Sequence, residues 1–202
     1  MKVRLYALCV VVAGMWVGQA GAAPAAPLEG TESPPAATPK IDHTHNIDFL
    51  FQALKAAPDD QTARLIEGRI WALWLASGSD TADLLMSRAR TAIEQNDSEL
   101  AIQLLDAIIE LKPDYIEAWN RRATLYFEKH DYARAMSDIA QVLAREPRHF
   151  GALTGLGMIL QDIGDNKGAL EAFRRALEVD PRLERVPEIV KSLTEKVEGR
   201  NI

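Results

Sequence analysis

Residues 116–149 read IEAWNRRATLYFEKHDYARAMSDIAQVLAREPRH, and this stretch decides the fold. Its single proline, Pro147, has counterparts at equal spacing on both sides, at Pro113 and Pro181. Self-similarity at a fixed period is the signature of a repeat protein. The chain is therefore expected to contain three copies of one structural unit.

Other columns of residues keep the same period. An alanine stands twelve residues before each proline, and a large apolar residue follows each alanine after four positions. The alanines are Ala101, Ala135 and Ala169, and the apolar residues are Leu105, Ile139 and Phe173. Small residues recur upstream at Ala89, Ala123 and Gly157. Because several columns agree on one period, coincidence is a poor explanation.

The pattern within each unit predicts two amphipathic helices. In the quoted unit, apolar and small residues recur at helical spacing over 119–126 and again over 135–142, with the sequence KHD between them. An aspartate stands where each second helix should begin, and its short side chain can accept hydrogen bonds from the free amides of the first turn. The predicted N-caps are Asp97 or Ser98 in the first unit, Asp131 in the second and Asp165 in the third.

These residues resemble the tetratricopeptide repeat, whose pattern is W-x2-L-G-x2-Y, then A-x3-F, then P. The second unit supplies Trp119, Ala123, Tyr126, Ala135, Ile139 and Pro147, and the third supplies Leu153, Gly157, Leu160, Ala169, Phe173 and Pro181. The resemblance implies an all-α, right-handed superhelical solenoid of helix–turn–helix repeats at 82–115, 116–149 and 150–183. Arg88 and Arg122 depart from the pattern, and we expect Arg122 to pair with Asp138.

Further helices are expected on both sides of the repeats. Residues 46–81 are interpreted as a degenerate N-terminal helix pair, carrying Trp71 and Trp74, that covers the open face of the first repeat. Residues 184–202 are interpreted as a C-terminal capping helix, which an open solenoid needs for solubility. In that helix Pro187 is tolerable only in the first turn.

The beginning of the chain is typical of an exported protein. Lys2 and Arg4 precede an apolar run, and Ala20-Gly21-Ala22 follows it, so residues 1–22 are interpreted as a signal peptide. Retention of this segment as an anchor remains open. Residues 23–45 are rich in proline and alanine and are expected to form a disordered linker. We therefore expect the mature protein in the periplasm, without the single cysteine, Cys9.

The charge of the chain limits its partners. The formal net charge is −6, and loss of Lys2 and Arg4 makes it about −8. This charge argues against nucleic acid and anionic lipid as partners. Proteins or peptides are expected instead, with no membrane insertion of the mature chain, while homo-oligomers remain possible.

Motifs for catalysis and for cofactors are missing from the sequence. The patterns G-x-S-x-G, G-x-x-x-x-G-K-[ST] and H-E-x-x-H do not occur, so no enzyme activity, metal or cofactor is expected. His130 and His149 fall at turns and are assigned surface or capping roles. In the glycine-rich stretch 151–164, Gly157 is expected to allow close packing of two helices.

The resemblance implies that the first helix of each unit lines a concave face that binds partners. The predicted partner-binding residues are Arg90, Asn120, Arg121, Thr124, Phe127, Gly151, Thr154, Gly155 and Met158. We expect an extended peptide to place carboxylate or carbonyl oxygens on Arg90, Asn120 and Arg121. An apolar side chain would rest over Gly151, Gly155 and Met158. An ordinary solvated face is the alternative.

The function expected from the sequence is that of a non-enzymatic scaffold in cell-envelope assembly or maintenance. Alternatives are a self-associating structural protein and an accessory subunit of a cell-wall enzyme. Chaperone-binding relatives hold C-terminal carboxylates with a Lys–Asn clamp, but Met86, Arg90, Thr154 and Met158 occupy the corresponding positions here. The resemblance therefore does not imply that ligand.

Overall fold

The computed structural model describes residues 46–199, which lie in one compact unit of the chain. The predicted signal peptide (1–22) and linker (23–45) lie outside these residues. The described secondary structure is entirely helical, which confirms the predicted all-α fold. None of the described helices is long and apolar enough to cross a bilayer. The helices are α1 (Ile47–Lys55), α2 (Asp60–Leu75), α3 (Asp80–Glu94), α4 (Ser98–Leu111), α5 (Ile116–Glu128), α6 (Tyr132–Arg145), α7 (Phe150–Asp162), α8 (Asn166–Val179) and α9 (Val186–Val197).

Helices α3 to α8 form three packed pairs that correspond to the three predicted repeats, except that α3 begins at Asp80, two residues before the predicted start of the first repeat. The second helix of each pair begins as the sequence predicts. The side chains of Asp97, Asp131 and Asp165 accept hydrogen bonds from the amides of Leu100, Arg134 and Gly168 at 3.1, 3.2 and 2.9 Å. Each such cap stabilises a helix by about 1 kcal/mol, so the repeat boundaries are set locally.

The turn inside each repeat has the same backbone geometry. Asn96, His130 and Gly164 occupy equivalent positions in the three repeats and have positive φ angles of 59°, 58° and 87°. Glycine adopts this left-handed conformation without strain, whereas a side chain such as that of His130 costs roughly 1 kcal/mol or more. His130 is exposed, as predicted, and its Nδ1 lies 2.8 Å from the hydroxyl of Tyr132.

Close packing inside the third repeat depends on a missing side chain. A Cβ atom at Gly157 would lie 2.7 Å from the ring of Phe173, which is closer than real Cβ contacts allow. Phe173 is fully buried. The glycine therefore lets α7 approach α8, and the predicted packing role of Gly157 is confirmed.

Arg122 joins neighbouring repeats through two carboxylates. Its Nε and Nη2 donate to the two oxygens of Asp138 at 2.8 and 2.7 Å, which confirms the predicted pair. Its Nη1 also donates to Asp106 on α4 at 2.6 Å. Hydrogen bonding to Asp138, opposed by burial and aided by Asp106, raises the pKa of Arg122 above its usual range. The guanidinium therefore stays charged and connects α4, α5 and α6.

Helix α9 continues the stack beyond the third repeat. It packs on α8, with Val186 and Leu193 buried in a cluster that includes Leu170 and Phe173. Pro187 lies in the first turn, where its missing N–H costs no helical hydrogen bond. Val197, the last residue of α9, is exposed.

The N-terminal helix pair, α1 and α2, does not cover the first repeat, so that expectation is wrong. Helix α1 contacts α8 and helix α2 contacts α5. The buried residues of the pair share a core with Phe150 and Leu153 of α7 and with Ala176 and Val179 of α8. The bulky apolar residues of the pair pack there against the second and third repeats instead of covering the first.

Polar contacts fix this pair to the two inter-repeat junctions and to the junction of the third repeat with α9. The Tyr115 hydroxyl donates to the carbonyl of Leu75 at 2.8 Å. Arg148 donates to Asp48 at 2.7 Å. Arg182 donates to Asp60 at 2.6 Å and to the carbonyls of Ala57 and Pro58 at 3.2 and 2.9 Å. The N-terminal helix pair therefore runs along the edge of the repeats, from the α4–α5 junction to the α8–α9 junction.

Candidate functional site

A groove of about 540 Å³ lies on the first helices of the second and third repeats. Helices α5 and α7 contribute most of its lining, α2 adds Glu67 and Trp71, and the segment entering α9 adds Leu183, Glu184 and Val186. We call this cavity the groove. Its remaining lining residues are Asn120, Ala123, Thr124, Phe127, Glu128, Ile139, Phe150, Gly151, Ala152, Thr154, Gly155, Met158 and Ile159.

The open part of the groove lies over Gly155. A Cβ atom at this position would meet only the Cδ1 of Ile139, at an ordinary contact distance of 3.6 Å. Met158, one turn along α7, is 42% exposed, and Phe127 lines the groove from α5. The missing side chain therefore leaves an apolar recess that an incoming side chain can fill.

The space over Gly151 is already filled by the chain itself. A Cβ atom at Gly151 would lie 2.9 Å from the Cη2 atom of the Trp71 ring. Trp71 packs edge-on against Phe150 and His149, with centroids 5.4 Å apart in both cases. The room that we expected for a ligand at Gly151 is thus occupied by α2, because the N-terminal helix pair lies across this end of α7.

The structure brings seven of the nine predicted partner-binding residues together. Asn120, Thr124, Phe127, Gly151, Thr154, Gly155 and Met158 all line the groove, whereas Arg90 and Arg121 do not. Arg90 is exposed on α3. Arg121 lies with its Nε 3.5 Å from the Oε2 of Glu117, and Asn120 donates to Glu117 Oε1 at 3.1 Å. Arg121 and Asn120 therefore engage a carboxylate of the chain.

That carboxylate belongs to a buried polar cluster beside the groove. Glu117 and His149 are both almost fully buried, and the Nε2 of His149 lies 3.0 Å from Glu117 Oε1. His149 Nδ1 accepts a hydrogen bond from the amide of Ala152, which confirms its predicted capping role. Because Nδ1 accepts, the ring proton is on Nε2, which donates to Glu117. Trp74 stacks on the imidazole at 4.0 Å, so the cluster attaches α2 to the start of α7.

The charged residues that line the groove are all acidic. They are Glu67 on α2, Glu128 at the end of α5 and Glu184 before α9. No lysine or arginine is among the lining residues. The two arginines that were expected to bind carboxylate or carbonyl oxygens, Arg90 and Arg121, therefore lie outside the groove lining, and the groove itself presents carboxylates.

Glu67 also contacts a carboxylate behind the groove. Burial first, and then the charge of Asp180, raises the pKa of Glu67 to about 7. Burial likewise raises the pKa of Asp180, which is completely buried. No N–H or hydroxyl donates to Asp180 Oδ2 among the described residues. A proton on Glu67 would supply the missing donor to Asp180 at the contact of α2 with the α8–α9 junction.

The chemistry available in the groove is that of a binding surface. Within residues 46–199 no three histidine, cysteine, aspartate or glutamate side chains converge as a metal site requires. The lining combines an apolar floor with a few carboxylates and hydroxyls. Such a lining can hold a side chain and orient its charged neighbours.

Sequence reasoning missed the residues that α2 and the α8–α9 junction contribute, namely Glu67, Trp71, Leu183, Glu184 and Val186. One signal was present: Arg148 and Arg182 each directly follow a repeat-ending proline, so they occupy equivalent positions in successive repeats. Both arginines bind the N-terminal helix pair. The equivalent positions of these arginines could therefore have indicated that the N-terminal helix pair lies along the junctions.

Sequence comparison agrees with the geometry of the helix pairs. Two sequence models of the tetratricopeptide repeat match residues 82–115 and 120–183. A TPR repeat-containing protein of Rhizobium etli is 45% identical over 153 residues, which are 76% of this chain and 75% of that protein.

Solved structures of repeat domains share the fold. The first TPR domain of Spaghetti (RPAP3), bound to the HSP90 peptide SRMEEVD, has a TM-score of 0.56 and 19% identity, and covers 59% of this chain and 95% of that one. The crystal structure of the MamA protein matches with a TM-score of 0.55 and 16% identity. The match covers 79% of this chain and 85% of the MamA chain. At these identities the likeness establishes the architecture alone.

Proposed function

This chain belongs to the tetratricopeptide repeat family, and on that premise we propose that it is a non-catalytic scaffold that holds a segment of another protein in the groove. Members of this family use the concave surface of the solenoid to bind protein segments. The observation that carries the proposal is the open recess over Gly155, where a preformed apolar surface meets the solvent.

The size of the groove supports a short segment. About 540 Å³ accommodates a few side chains rather than a folded domain. The N-terminal helix pair occupies the adjoining surface at Gly151, so the bound segment is limited to the side of the groove formed by Thr124, Phe127, Gly155 and Met158. We therefore propose an extended or single-turn segment as the ligand.

We further propose that the scaffold acts in the periplasm, in assembly or maintenance of the cell envelope. The support is the sequence of residues 1–22, with its basic start, apolar run and small-residue end. The net negative charge is compatible with protein partners in that compartment. Fractionation of cells expressing the full chain, followed by mass measurement of the recovered protein, tests this. A cytoplasmic protein that keeps residues 1–22 would contradict it.

The binding proposal is tested by capture from an envelope fraction with a groove-filling variant. Gly155→Leu places a side chain in the recess, and Gly68→Leu is a matched control, because Gly68 is also helical but no atom lies within 4 Å of its Cβ position. Photo-crosslinking with the wild-type protein should capture a partner that Gly155→Leu loses and Gly68→Leu keeps.

Helical content and thermal unfolding are measured for all three proteins, so that loss of capture is not confused with loss of folding. Equal capture by all three proteins would contradict binding in the groove. Capture of the chain itself and nothing else would favour self-association instead.

A further inference from the structure

The groove combines an apolar floor with carboxylates that lie on separate elements. Glu67 comes from α2, Glu128 from the C-terminal end of α5 and Glu184 from the α8–α9 junction. Side chains at the C-terminal end of a helix also feel its partial negative charge, which adds to that of Glu128. Glu128 and Glu184 therefore make the potential in the groove negative even when Glu67 carries a proton.

Two of these carboxylates are available to a ligand. Glu128 is exposed and makes no ion pair with any residue in the described part of the chain. Glu184 has only a long contact of 4.0 Å with Arg185, and both side chains are more than four-fifths exposed. A contact of this length between exposed groups is weak, so an incoming cation can replace it.

The floor between the carboxylates suits one large apolar side chain. Gly155 leaves the recess open, and Ile139, Phe127 and Met158 surround it. Filling such a recess with a leucine-sized side chain removes apolar surface from water, which supplies the affinity. The surrounding charges then decide which segments are accepted, because like charges in an interface are costly.

We propose that the groove selects a protein segment in which a large apolar residue is flanked by lysine or arginine. This inference rests on the proposed function, and it adds the chemistry of the segment. The apolar residue lies over Gly155, and the basic residues lie against Glu128 and Glu184. The selection runs opposite to the carboxylate-seeking arrangement that we expected from Arg90, Asn120 and Arg121.

Two other occupants are disfavoured by their charge. Residues 23–45 of this chain carry Glu29, Glu32 and Asp42 but one basic residue, Lys40. A second copy of the chain has a formal net charge of −6. Both would bring negative charge to a negative groove, whereas a basic partner segment is complementary to it.

The test uses three labelled peptides of a Gly/Ser/Ala host sequence, with Lys-Leu-Lys, Glu-Leu-Glu or Lys-Ala-Lys at the centre. Fluorescence anisotropy with the full chain measures their affinities. We expect Lys-Leu-Lys to bind at least about tenfold more tightly than either of the others. Its advantage over Glu-Leu-Glu should shrink at high salt, because exposed charges are screened.

Substitutions in the protein test whether the peptides bind in the groove. Gly155→Leu should abolish the binding of Lys-Leu-Lys, while Gly68→Leu should not change it. Glu128→Lys should lower the affinity for Lys-Leu-Lys and raise it for Glu-Leu-Glu. The matched control is Glu110→Lys on α4, where the side chain is exposed outside the groove.

The outcomes separate this inference from the proposed function. If Lys-Leu-Lys and Glu-Leu-Glu bind equally and Gly155→Leu abolishes both, the groove binds segments but the charge selection is wrong. If no peptide binds up to about 1 mM, the proposed preference for a basic, apolar segment is also overturned. The capture experiment then still tests whether the groove binds a partner protein. Tighter peptide binding after Lys40→Glu/Ile41→Ala would show that residues 23–45 compete for the groove, which would overturn the assigned occupant.

Discussion

The two flanks of the repeats behave differently. Helix α9 continues the stack and packs on the neighbouring helix α8. The N-terminal helix pair leaves the stack and packs on α5, α7 and α8, far along the chain. The repeat pattern therefore specifies the position of the helix after the last repeat, while the position of the N-terminal helix pair depends on where its tryptophans find apolar surface.

The largest expected effect comes from removing the side chain that attaches the N-terminal helix pair. Trp74 is 5% exposed and packs on His149 and Phe150. Trp74→Ala should lower the free energy of unfolding by about 3–5 kcal/mol, because it leaves a large cavity. Hydrogen exchange should accelerate in α1 and α2 while α5 to α8 keep their protection.

The corresponding change on the other flank is Leu193→Ala in α9, a buried residue of the cluster that α9 shares with the third repeat. Exchange should accelerate in α9 and leave α1 and α2 unchanged. If the two variants gave the same exchange pattern, the difference between the flanks would not hold.

A second comparison uses two glycines one turn apart on α7. Gly151→Ala should lower the free energy of unfolding by roughly 1–3 kcal/mol, because its Cβ would lie 2.9 Å from Trp71. Gly155→Ala should raise it by about 0.5–1 kcal/mol, since alanine favours the helix and its Cβ meets only Ile139 at 3.6 Å. Urea unfolding of both variants measures the two signs. If both variants changed the free energy of unfolding in the same direction, the space over Gly151 would not be filled by α2 as the structure indicates.

The contact of Glu67 with Asp180 predicts a pH dependence of the same attachment. The pKa of Glu67 lies near 7 in the folded protein, above its ordinary value of 4.5. The folded state therefore binds more protons between these values, and the free energy of unfolding falls as the pH rises through this window. We expect a fall of about 1–2 kcal/mol after allowing for solvent screening of a partly exposed group.

Glu67→Gln retains a donor for Asp180 without a proton to lose. Its profile should be flatter than that of the wild type across pH 4.5–7, and it should be the more stable protein above pH 7. Glu110→Gln is the control and should follow the wild type. Parallel profiles for Glu67→Gln and the wild type would show that this pair does not control the pH dependence.

The smallest effect concerns the turns within the repeats. His130→Gly should stabilise the protein by about 0.5–1 kcal/mol, because relief of the left-handed strain exceeds the extra unfolded-state entropy of glycine. The control is Gly164→Ala, which creates the same strain in the third repeat and should destabilise it. Thermal unfolding measures both changes, and a destabilised His130→Gly would indicate that the contact with Tyr132 matters more than the strain.

Local signals were predictable from the sequence, and distant contacts were not. The caps at Asp97, Asp131 and Asp165 follow from bonds to residues three positions away. The Arg122–Asp138 pair follows from the register inside one repeat, but Asp106 belongs to the repeat before and was missed.

The groove was predicted for the residues on α5 and α7, because their inward positions follow from the repeat register. Trp71 and Glu67 have no such register, since α2 does not continue the stack. Whether the space beside a glycine on α7 is open or filled depends on where α2 packs. Gly151 and Gly155 look equivalent in the sequence, and the structure makes them different.

The attachment of the N-terminal helix pair at both inter-repeat junctions and at the α8–α9 junction has a mechanical consequence. A solenoid without such a connection can bend, because each junction between repeats contributes a small rotation. Its repeats can also unfold one after another, since each contacts only its neighbours. Here the N-terminal helix pair is bonded to Tyr115, Arg148 and Arg182, so bending of the repeats would have to strain or break these contacts. Under tension the molecule should extend little and then yield in one step, instead of opening repeat by repeat.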